Sequence, residues 1–287
     1  MAIEQTTMNK AKVRWTRLLR YISQAGFAAY ILYLSVRHAL FESNVNPVPS
    51  IDALCPFGGI ATLWRFVSEG LYVPKTHLSN LVLVIGLLIG ALVAGAAFCG
   101  WICPFGALQD LLSGIRKRLR LPVVQVPPQV DRWLRLGRYL MLAGILYGTV
   151  ATVSLWFAGF DPYRTLFGLG WIFEFDWALN WTAYVVTIIV IVGSVSIHRF
   201  WCRYLCPLGA LLALVQRLSL FKIQRDPKLC INCGKCAQAC PVKLPVDKNI
   251  RTGASCIGCL ECVEACPKAG ALEVGFILPR QKQGEEL

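Results

Sequence analysis

Eight of the thirteen cysteines lie near the end of the chain, in two copies of one spacing. Each copy has the pattern C-x2-C-x2-C-x3-C-P. The first copy contains Cys230, Cys233, Cys236 and Cys240, and the second contains Cys256, Cys259, Cys262 and Cys266. Three closely spaced thiolates with a fourth at a longer interval are the ligand pattern of [4Fe–4S] clusters. The spacing therefore predicts two such clusters, and with them electron transfer.

In two-cluster ferredoxins, the fourth cysteine of each run binds the cluster that the other run holds. The expected ligands are therefore Cys230, Cys233, Cys236 and Cys266 for cluster one, and Cys256, Cys259, Cys262 and Cys240 for cluster two. Structural zinc sites also use C-x2-C pairs. Zinc needs only four ligands and does not explain a doubled run with a proline after each copy, so the pattern favours iron–sulfur clusters.

Four further cysteines form two C-x3-C-P motifs, Cys99 with Cys103 and Cys202 with Cys206. A spacing of four residues puts both thiols on one side of a helix, and the following proline ends that helix. Free cysteines are often simply small buried hydrophobic residues. The alternatives are a metal or iron–sulfur site shared by the four cysteines, or a redox dithiol pair. Because the motif occurs twice, it favours a shared metal-type site.

The chain contains an internal repeat with an offset of 103 residues. Residues 98–108, FCGWICPFGAL, match residues 201–211, WCRYLCPLGAL. Upstream, the segment 54–58 with Cys55 resembles the segment 160–164, and both contain a proline followed by an aromatic residue. Each half is thus expected to contain a helix, an outer loop, a second helix, the C-x3-C-P motif and an amphipathic interfacial helix.

Four apolar stretches have the length of a membrane-spanning helix. They are Tyr21–Leu40, Leu78–Phe98, Tyr139–Phe160 and Trp177–Ile197. The chain is 56% hydrophobic, and its mean hydropathy is +0.54. Lysine and arginine number five in residues 1–20, seven in 99–138 and thirteen in 198–287. Because positive charge stays on the cytoplasmic side, the pattern predicts a multi-pass protein of a bacterial-type inner membrane with both termini in the cytoplasm.

The expected fold class is a mainly α membrane protein. Its four transmembrane helices would form two parallel two-helix repeats, followed by a C-terminal α+β two-cluster ferredoxin domain. The predicted segments are a basic tail (1–20), a first repeat (21–120), a proline-rich linker (121–138), a second repeat (139–223), the ferredoxin domain (224–275) and a tail (276–287). Topology and anionic lipid account for the net charge of +13. Nucleic-acid binding is not expected, because the basic residues are not interleaved with aromatic ones.

The two C-x3-C-P motifs, followed by a two-cluster module, resemble the NapH/NosR/CcoG-like family of membrane-bound ferredoxin-type proteins. The resemblance extends from the first helix to Cys266. It implies a NapH-like quinol dehydrogenase component that exchanges electrons between the quinone pool and a redox partner, which would be a ferredoxin-type protein, a reductase or a flavoprotein. It also matches the eight cysteines of the doubled run to the cluster ligands of the family, and the other four to its membrane motifs.

The inner parts of the four apolar stretches lack the acidic or basic residues that an ion pump uses as relays. The three histidines lie near the ends of these stretches, so paired haem ligands are not expected. Cys55 or the turn at Asp161–Arg164 could form an outer quinone or partner site, with ordinary proline turns as the alternative. A second functional reading is a CcoG-like assembly factor that reduces metal ions or thiols during maturation of an oxidase or reductase.

Overall fold

The computed structural model describes residues 2–41, 78–152, 156–169 and 177–276. The helices before the first strand are α1 (Ala2–Phe41), α2 (Leu78–Ala94), α3 (Ala97–Trp101), α4 (Pro104–Arg118), α5 (Pro128–Leu134), α6 (Gly137–Thr152), α7 (Pro162–Phe167), α8 (Trp177–Ser196), α9 (Phe200–Tyr204) and α10 (Pro207–Gln216). A 3-10 turn, Trp156–Gly159, lies between α6 and α7. The C-terminal elements are β1 (Phe221–Arg225), α11 (Lys235–Ala239), α12 (Glu261–Ala265) and β2 (Leu272–Phe276).

The chain forms two compact units. The first comprises Met1–Gln24, Leu88–Cys103 and Leu211–Leu287, and the second comprises Ala25–Leu87 and Pro104–Ala210. The first unit therefore contains the doubled cysteine run together with the first C-x3-C-P motif. The second unit contains the second motif.

The order of helices repeats around the two C-x3-C-P motifs. In each half a long helix is followed by a five-residue helix, α3 or α9, and then by a helix that begins at the proline after the motif. The backbone bonds repeat as well. The amide of Cys103 donates to the carbonyl of Phe98 at 2.9 Å, and the amide of Cys206 donates to the carbonyl of Trp201 at 2.8 Å. The sequence repeat is therefore also a repeat of local structure.

The prediction of four membrane-spanning helices is wrong for the described residues, in which no helix is both long enough and apolar enough to cross a bilayer. Helix α2 has 17 residues and α6 has 16. At 1.5 Å per residue each is only about 25 Å long, below the ~30 Å hydrocarbon thickness. Non-helical backbone at Asn180 interrupts α8, and α1 carries Arg20, Gln24 and Arg37 within or beside its apolar stretch. The apolar stretches are thus longer than the uninterrupted apolar helices that form from them.

The C-terminal part is built on a small two-stranded antiparallel sheet. Strand β1 pairs with β2 so that Phe221 lies opposite Phe276 and Arg225 lies opposite Leu272. Buried apolar side chains and cysteines share one core under this sheet. That core consists of Phe221, Ile223, Cys236, Val246, Cys256, Cys262 and Leu272. The fold is therefore mainly helical, with a small sheet in the segment that carries the doubled run.

The structure describes only one of the two predicted proline turns. Cys55 and the whole of segment 54–58 lie outside the described residues. The second proline turn is described, and there the carboxylate of Asp161 accepts a hydrogen bond from the amide of Tyr163 at 2.9 Å. Asp161 thereby caps the N-terminus of α7, where Pro162 is the first residue.

Candidate iron–sulfur site

Both copies of the doubled run place their cysteines in the same way. A residue with left-handed backbone, Gly234 (φ +68) or Leu260 (φ +61), begins a five-residue helix. The second residue of that helix is the third cysteine of the run, Cys236 or Cys262. After the helix, the fourth cysteine has extended backbone and leads the chain away. The reversal before each helix groups the first three cysteines, and the extended residue carries the fourth elsewhere.

The structure brings four of these cysteines together around one cavity, which we call the cluster-one cavity. The cysteines that line it are Cys230, Cys233, Cys236 and Cys266. Three come from the first run and one from the second, as the expected ligand set for cluster one requires. Arg225, Asp247 and Lys268 supply the charged part of its lining.

The other four cysteines line a second cavity, the cluster-two cavity. They are Cys240, Cys256, Cys259 and Cys262. The remainder of the lining is apolar apart from Thr252, with Ile223, Val242 and Val246 among its members. The amide of Leu244 donates to the Cys240 sulfur at 3.4 Å. Four thiols in an apolar cavity, one of them accepting an N–H bond, are a donor set that suits a [4Fe–4S] cluster.

Burial raises the pKa of a cysteine in each cavity, Cys236 in one and Cys262 in the other, and Cys230 shifts in the opposite direction. Burial raises the pKa of Cys262 far above its ordinary value, and negative charge on Cys259, Cys256 and Cys240 raises it further. In the cluster-one cavity, a hydrogen bond from Arg225 lowers the pKa of Cys230. The buried Cys262 thiol thus holds its proton until a metal replaces it, whereas Cys230 forms a thiolate more readily.

The first C-x3-C-P motif packs against residues 256–259, which we call the ligand loop of the cluster-two cavity because it carries the predicted ligands Cys256 and Cys259. A Cβ atom at Gly100 would lie 2.5 Å from the carbonyl oxygen of Ile257, so only glycine fits there. Gly258 has φ +61, and its own Cβ would lie 3.2 Å from the Cα of Ala97. The indole N–H of Trp101 donates to the Gly258 carbonyl at 3.0 Å. Helix α3 and the loop therefore approach each other at backbone distance.

Helix α1 is bonded to the same two segments. Arg20 is only 4% exposed; it forms an ion pair with Glu261 at 2.7 Å and donates to the Cys259 carbonyl at 3.4 Å. Gln24 donates to the Gly100 carbonyl at 2.8 Å. One turn of α1 thus joins helix α3 to the loop that carries Cys259. From the sequence, Arg20 is expected only as the last residue of the basic tail.

In the second unit, the sulfurs of Cys202 and Cys206 both accept hydrogen bonds. The side-chain amide of Gln109 donates to the Cys202 sulfur at 3.0 Å, and the amide of Gly209 donates to the Cys206 sulfur at 3.3 Å. N–H donors of this kind stabilise negative charge on sulfur and orient a thiolate ligand. The pair is therefore prepared for a soft metal or for redox chemistry.

Gln109 was not among the predicted site residues. It is buried, and its side-chain oxygen accepts from the Trp201 amide at 3.2 Å and from the Ser194 hydroxyl at 3.3 Å. These two bonds fix the amide so that its nitrogen faces the sulfur. A comparison of the two repeats could have revealed Gln109, because its counterpart at the offset of 103 is the apolar Leu212.

A buried ion cluster follows directly after this glutamine. Arg199 makes two hydrogen bonds to Asp110, at 2.8 and 2.6 Å, and His198 lies 3.1 Å from the same carboxylate. Burial alone would raise the pKa of Asp110, but Arg199 and His198 hold it well below its ordinary value. Arg199 has left-handed backbone, φ 54. Asp110 thereby secures the residue just before helix α9, which carries Cys202.

The remaining pair lies in the first unit, where Cys99 is buried on α3 and Cys103 follows the end of that helix. Across the described residues, no three side chains of histidine, cysteine, aspartate or glutamate converge as one metal ion requires. In a [4Fe–4S] cluster each thiolate binds a different iron, so its ligands need not converge in that way. The role of the four C-x3-C-P cysteines stays a prediction.

Comparisons with known proteins match both cysteine systems. The family described as "4Fe-4S binding domain" matches residues 76–122 and again 179–226. The two matches begin 103 residues apart, which is the offset of the internal repeat. The family described as "4Fe-4S dicluster domain" matches residues 222–273, which contain the doubled run.

Named relatives support the same assignment. Over 237 residues, 80% of this chain, it is 36% identical to the regulatory protein NosR of Pseudomonas aeruginosa. Over 170 residues, 58% of this chain, it is 29% identical to the ferredoxin-type protein NapH of Haemophilus influenzae. This chain contains ferredoxin-type [4Fe–4S] domains and is similar to NapH and NosR.

A further relative of this ferredoxin-type protein is YccM of Escherichia coli K12, a proposed electron transport protein, which is 34% identical over 203 residues, 70% of this chain. The chain spans 56% of YccM, 30% of that NosR and 55% of that NapH. No solved structure matches it. Iron–sulfur binding thus follows from the matched 4Fe-4S domains, and the residues of the two cavities fit that cofactor.

Proposed function

We propose that this protein exchanges electrons between the quinone pool and a partner redox protein, as a NapH-like quinol dehydrogenase component. The observation that carries the proposal is the packing of the first C-x3-C-P motif on the ligand loop of the cluster-two cavity. The contact at Gly100 and the bond from Trp101 put this motif beside the backbone of Ile257 and Gly258. In this proposal, Cys99 and Cys103 take electrons from quinol and the cluster-two cavity receives them. The segments that carry these two sites are in direct contact.

The proposed ligands are the four cysteines of each cavity. Cys230, Cys233, Cys236 and Cys266 would hold one [4Fe–4S] cluster, and Cys240, Cys256, Cys259 and Cys262 would hold the other. Each cluster supplies one-electron chemistry when it is bound. The chain itself contributes a mostly apolar lining in the cluster-two cavity, and charged side chains with an exposed Cys233 at the cluster-one cavity.

A quinol substrate is lipid-soluble, so the proposal includes contact with a membrane. Large exposed apolar side chains on α8 support such contact, and Ile188, Ile189 and Val192 are each more than half exposed. Exposed apolar surface of this kind marks sites of lipid or protein binding. Flotation of the purified protein with phospholipid vesicles tests the point. Protein that stays at the bottom of the gradient would contradict it.

The proposal is tested with anaerobically purified protein and a short-chain quinol. We expect iron and acid-labile sulfide for two clusters, and EPR signals of reduced clusters after quinol is added. The Cys99→Ser/Cys103→Ser variant should keep clusters that dithionite reduces but should lose reduction by quinol. Wild-type clusters that dithionite reduces and no quinol reduces would overturn the quinone assignment.

A second candidate is an assembly factor that reduces metal ions or thiols. The N–H bonds to the Cys202 and Cys206 sulfurs favour it, because polarised thiolates bind soft metals such as Cu(I). In the same preparations, copper bound at these cysteines together with clusters that do not respond to quinol would select this reading. Quinol reduction without copper binding would exclude it.

A further inference from the structure

The cluster-one cavity opens on a face of the first unit that carries exposed apolar side chains. Ile231 is 62% exposed and Leu229 is 41% exposed, and both flank Cys230 in the chain. Cys233, which lines the cavity, is itself exposed. We call the surface formed by residues 225–235 and Lys268 the cluster-one face.

Positive charge dominates this face and the chain around it. Residues 221–251 contain seven lysines and arginines but only two acidic residues, Asp226 and Asp247. Lys228, Lys235 and Lys268 are exposed. Arg225 lies in the lining of the cavity. Lys268 and Arg225 thus line the cavity itself, and the exposed Lys228 and Lys235 lie within two residues of its cysteines Cys230 and Cys236.

This combination of features suits one kind of partner. A redox protein must bring its own centre close to the cluster, and redox complexes bury small interfaces that form and separate quickly. Complementary charge speeds such encounters. Segment 225–251 contains no phenylalanine, tyrosine or tryptophan, so it lacks the stacking platforms of single-strand nucleic-acid sites. A lipid surface would use the cations but gives no role to thiols that open on the same face.

We propose that the cluster-one face docks the acidic face of a soluble redox protein, a role that deepens the proposed function and rests on it. Lys228, Lys235 and Lys268 steer the partner, and Ile231 with Leu229 provides the apolar contact beside the cavity. The partner's acidic residues surround its own redox centre. This assigns the partner-facing exit to the cluster-one cavity rather than to the cluster-two cavity.

The test measures electron transfer from dithionite-reduced holoprotein to two protein probes by stopped flow, an acidic flavodoxin and a basic cytochrome c. The variant is Lys228→Glu/Lys235→Glu. Its control is Lys117→Glu/Arg118→Glu at exposed positions of α4, which makes the same change in net charge. Iron, sulfide and EPR are recorded for each preparation.

For wild type, we expect the rate with flavodoxin to fall by about tenfold between low and high salt, because screening removes steering. The Lys228→Glu/Lys235→Glu variant should react about tenfold more slowly at low salt and lose this salt dependence, while the control keeps both. Equal losses in the two variants, or no loss in either, would overturn the proposal. So would a rate that salt lowers only with cytochrome c, or one that anionic vesicles abolish. Preparations without clusters would instead refute the proposed function.

Discussion

The two cysteine cavities have the same ligand pattern but different surroundings. The cluster-two cysteines Cys240, Cys256, Cys259 and Cys262 are all buried. In the cluster-one cavity only Cys236 is buried, while Cys233 is exposed. The same spacing of residues therefore produces one cavity with four buried cysteines, which we call the enclosed cavity, and one with partly exposed cysteines, which we call the open cavity. The difference comes from what packs on each, because helices α1 and α3 cover the ligand loop of cluster two.

This contrast indicates how a duplicated motif can take two roles. The enclosed cavity faces the first C-x3-C-P motif, and Arg20, Trp101 and Gln24 bond the segments that meet there. The open cavity presents thiols and cations to the surroundings. In the proposed function, the cluster-two cavity is the internal one, and the cluster-one cavity is the one that a partner reaches.

The largest expected difference between the two cavities is the loss of stability when one cysteine is removed from each. We expect both Cys262→Ser and Cys233→Ser to lose one of two clusters. Cys262→Ser should lower the free energy of unfolding by about 2 kcal/mol more than Cys233→Ser does, because it buries a hydroxyl that has no hydrogen-bond partner. Iron and sulfide per chain, followed by thermal unfolding, check this. Equal destabilisation by the two substitutions would contradict the contrast in burial.

The order of cluster loss is the next largest effect. Exposure to a chelator under mild oxidation should remove the cluster-one iron on the order of tenfold faster, because water and reagent reach its ligands directly. Two phases of iron release, with EPR to assign each phase, provide the measurement. A single phase, or loss of the cluster-two signal first, would show that the enclosed cavity is not protected.

A methyl group at the contact between α3 and the ligand loop should disturb cluster two alone. Gly100→Ala puts a Cβ against the Ile257 carbonyl, and overpacking of this kind costs about 1–3 kcal/mol. The matched control is Gly90→Ala, since a Cβ there meets nothing within 4 Å. We expect Gly100→Ala to lower the melting temperature and alter the cluster-two EPR signal. Gly90→Ala should be neutral or slightly stabilising.

The smallest expected effect is electrostatic. Arg20→Gln removes a buried cation bonded to the Cys259 carbonyl, so the potential of cluster two should fall by roughly 50 mV, which corresponds to about 1 kcal/mol for one electron. Arg17→Gln is the control on the same helix, because Arg17 is 55% exposed and its ion pair with Glu264 is screened by water. Redox titration followed by EPR checks both. A larger shift of the cluster-two potential in Arg17→Gln than in Arg20→Gln would contradict the assignment of this effect to Arg20.

Sequence reasoning found the cysteines and missed the residues that hold them. Arg20, Gly100 and Gln109 act through contacts with residues between 76 and 239 positions away along the chain. No local pattern marks such contacts, although the repeat did leave a trace at Gln109. The membrane-spanning prediction failed for a related reason. Hydropathy records where apolar residues lie, but not where Asn180 or the end of α2 interrupts the helix.

The sequence by itself determined the cofactor class and the internal repeat, and it predicted the pairing of each run with the last cysteine of the other. These features depend on residue type and spacing, which are local. Only the tertiary structure decided which cavity is enclosed and which is open. The two runs are nearly equivalent as sequences, and their difference arises from the distant helices that pack on one of them. Burial, and with it the electrostatics of each cavity, is a property of that packing.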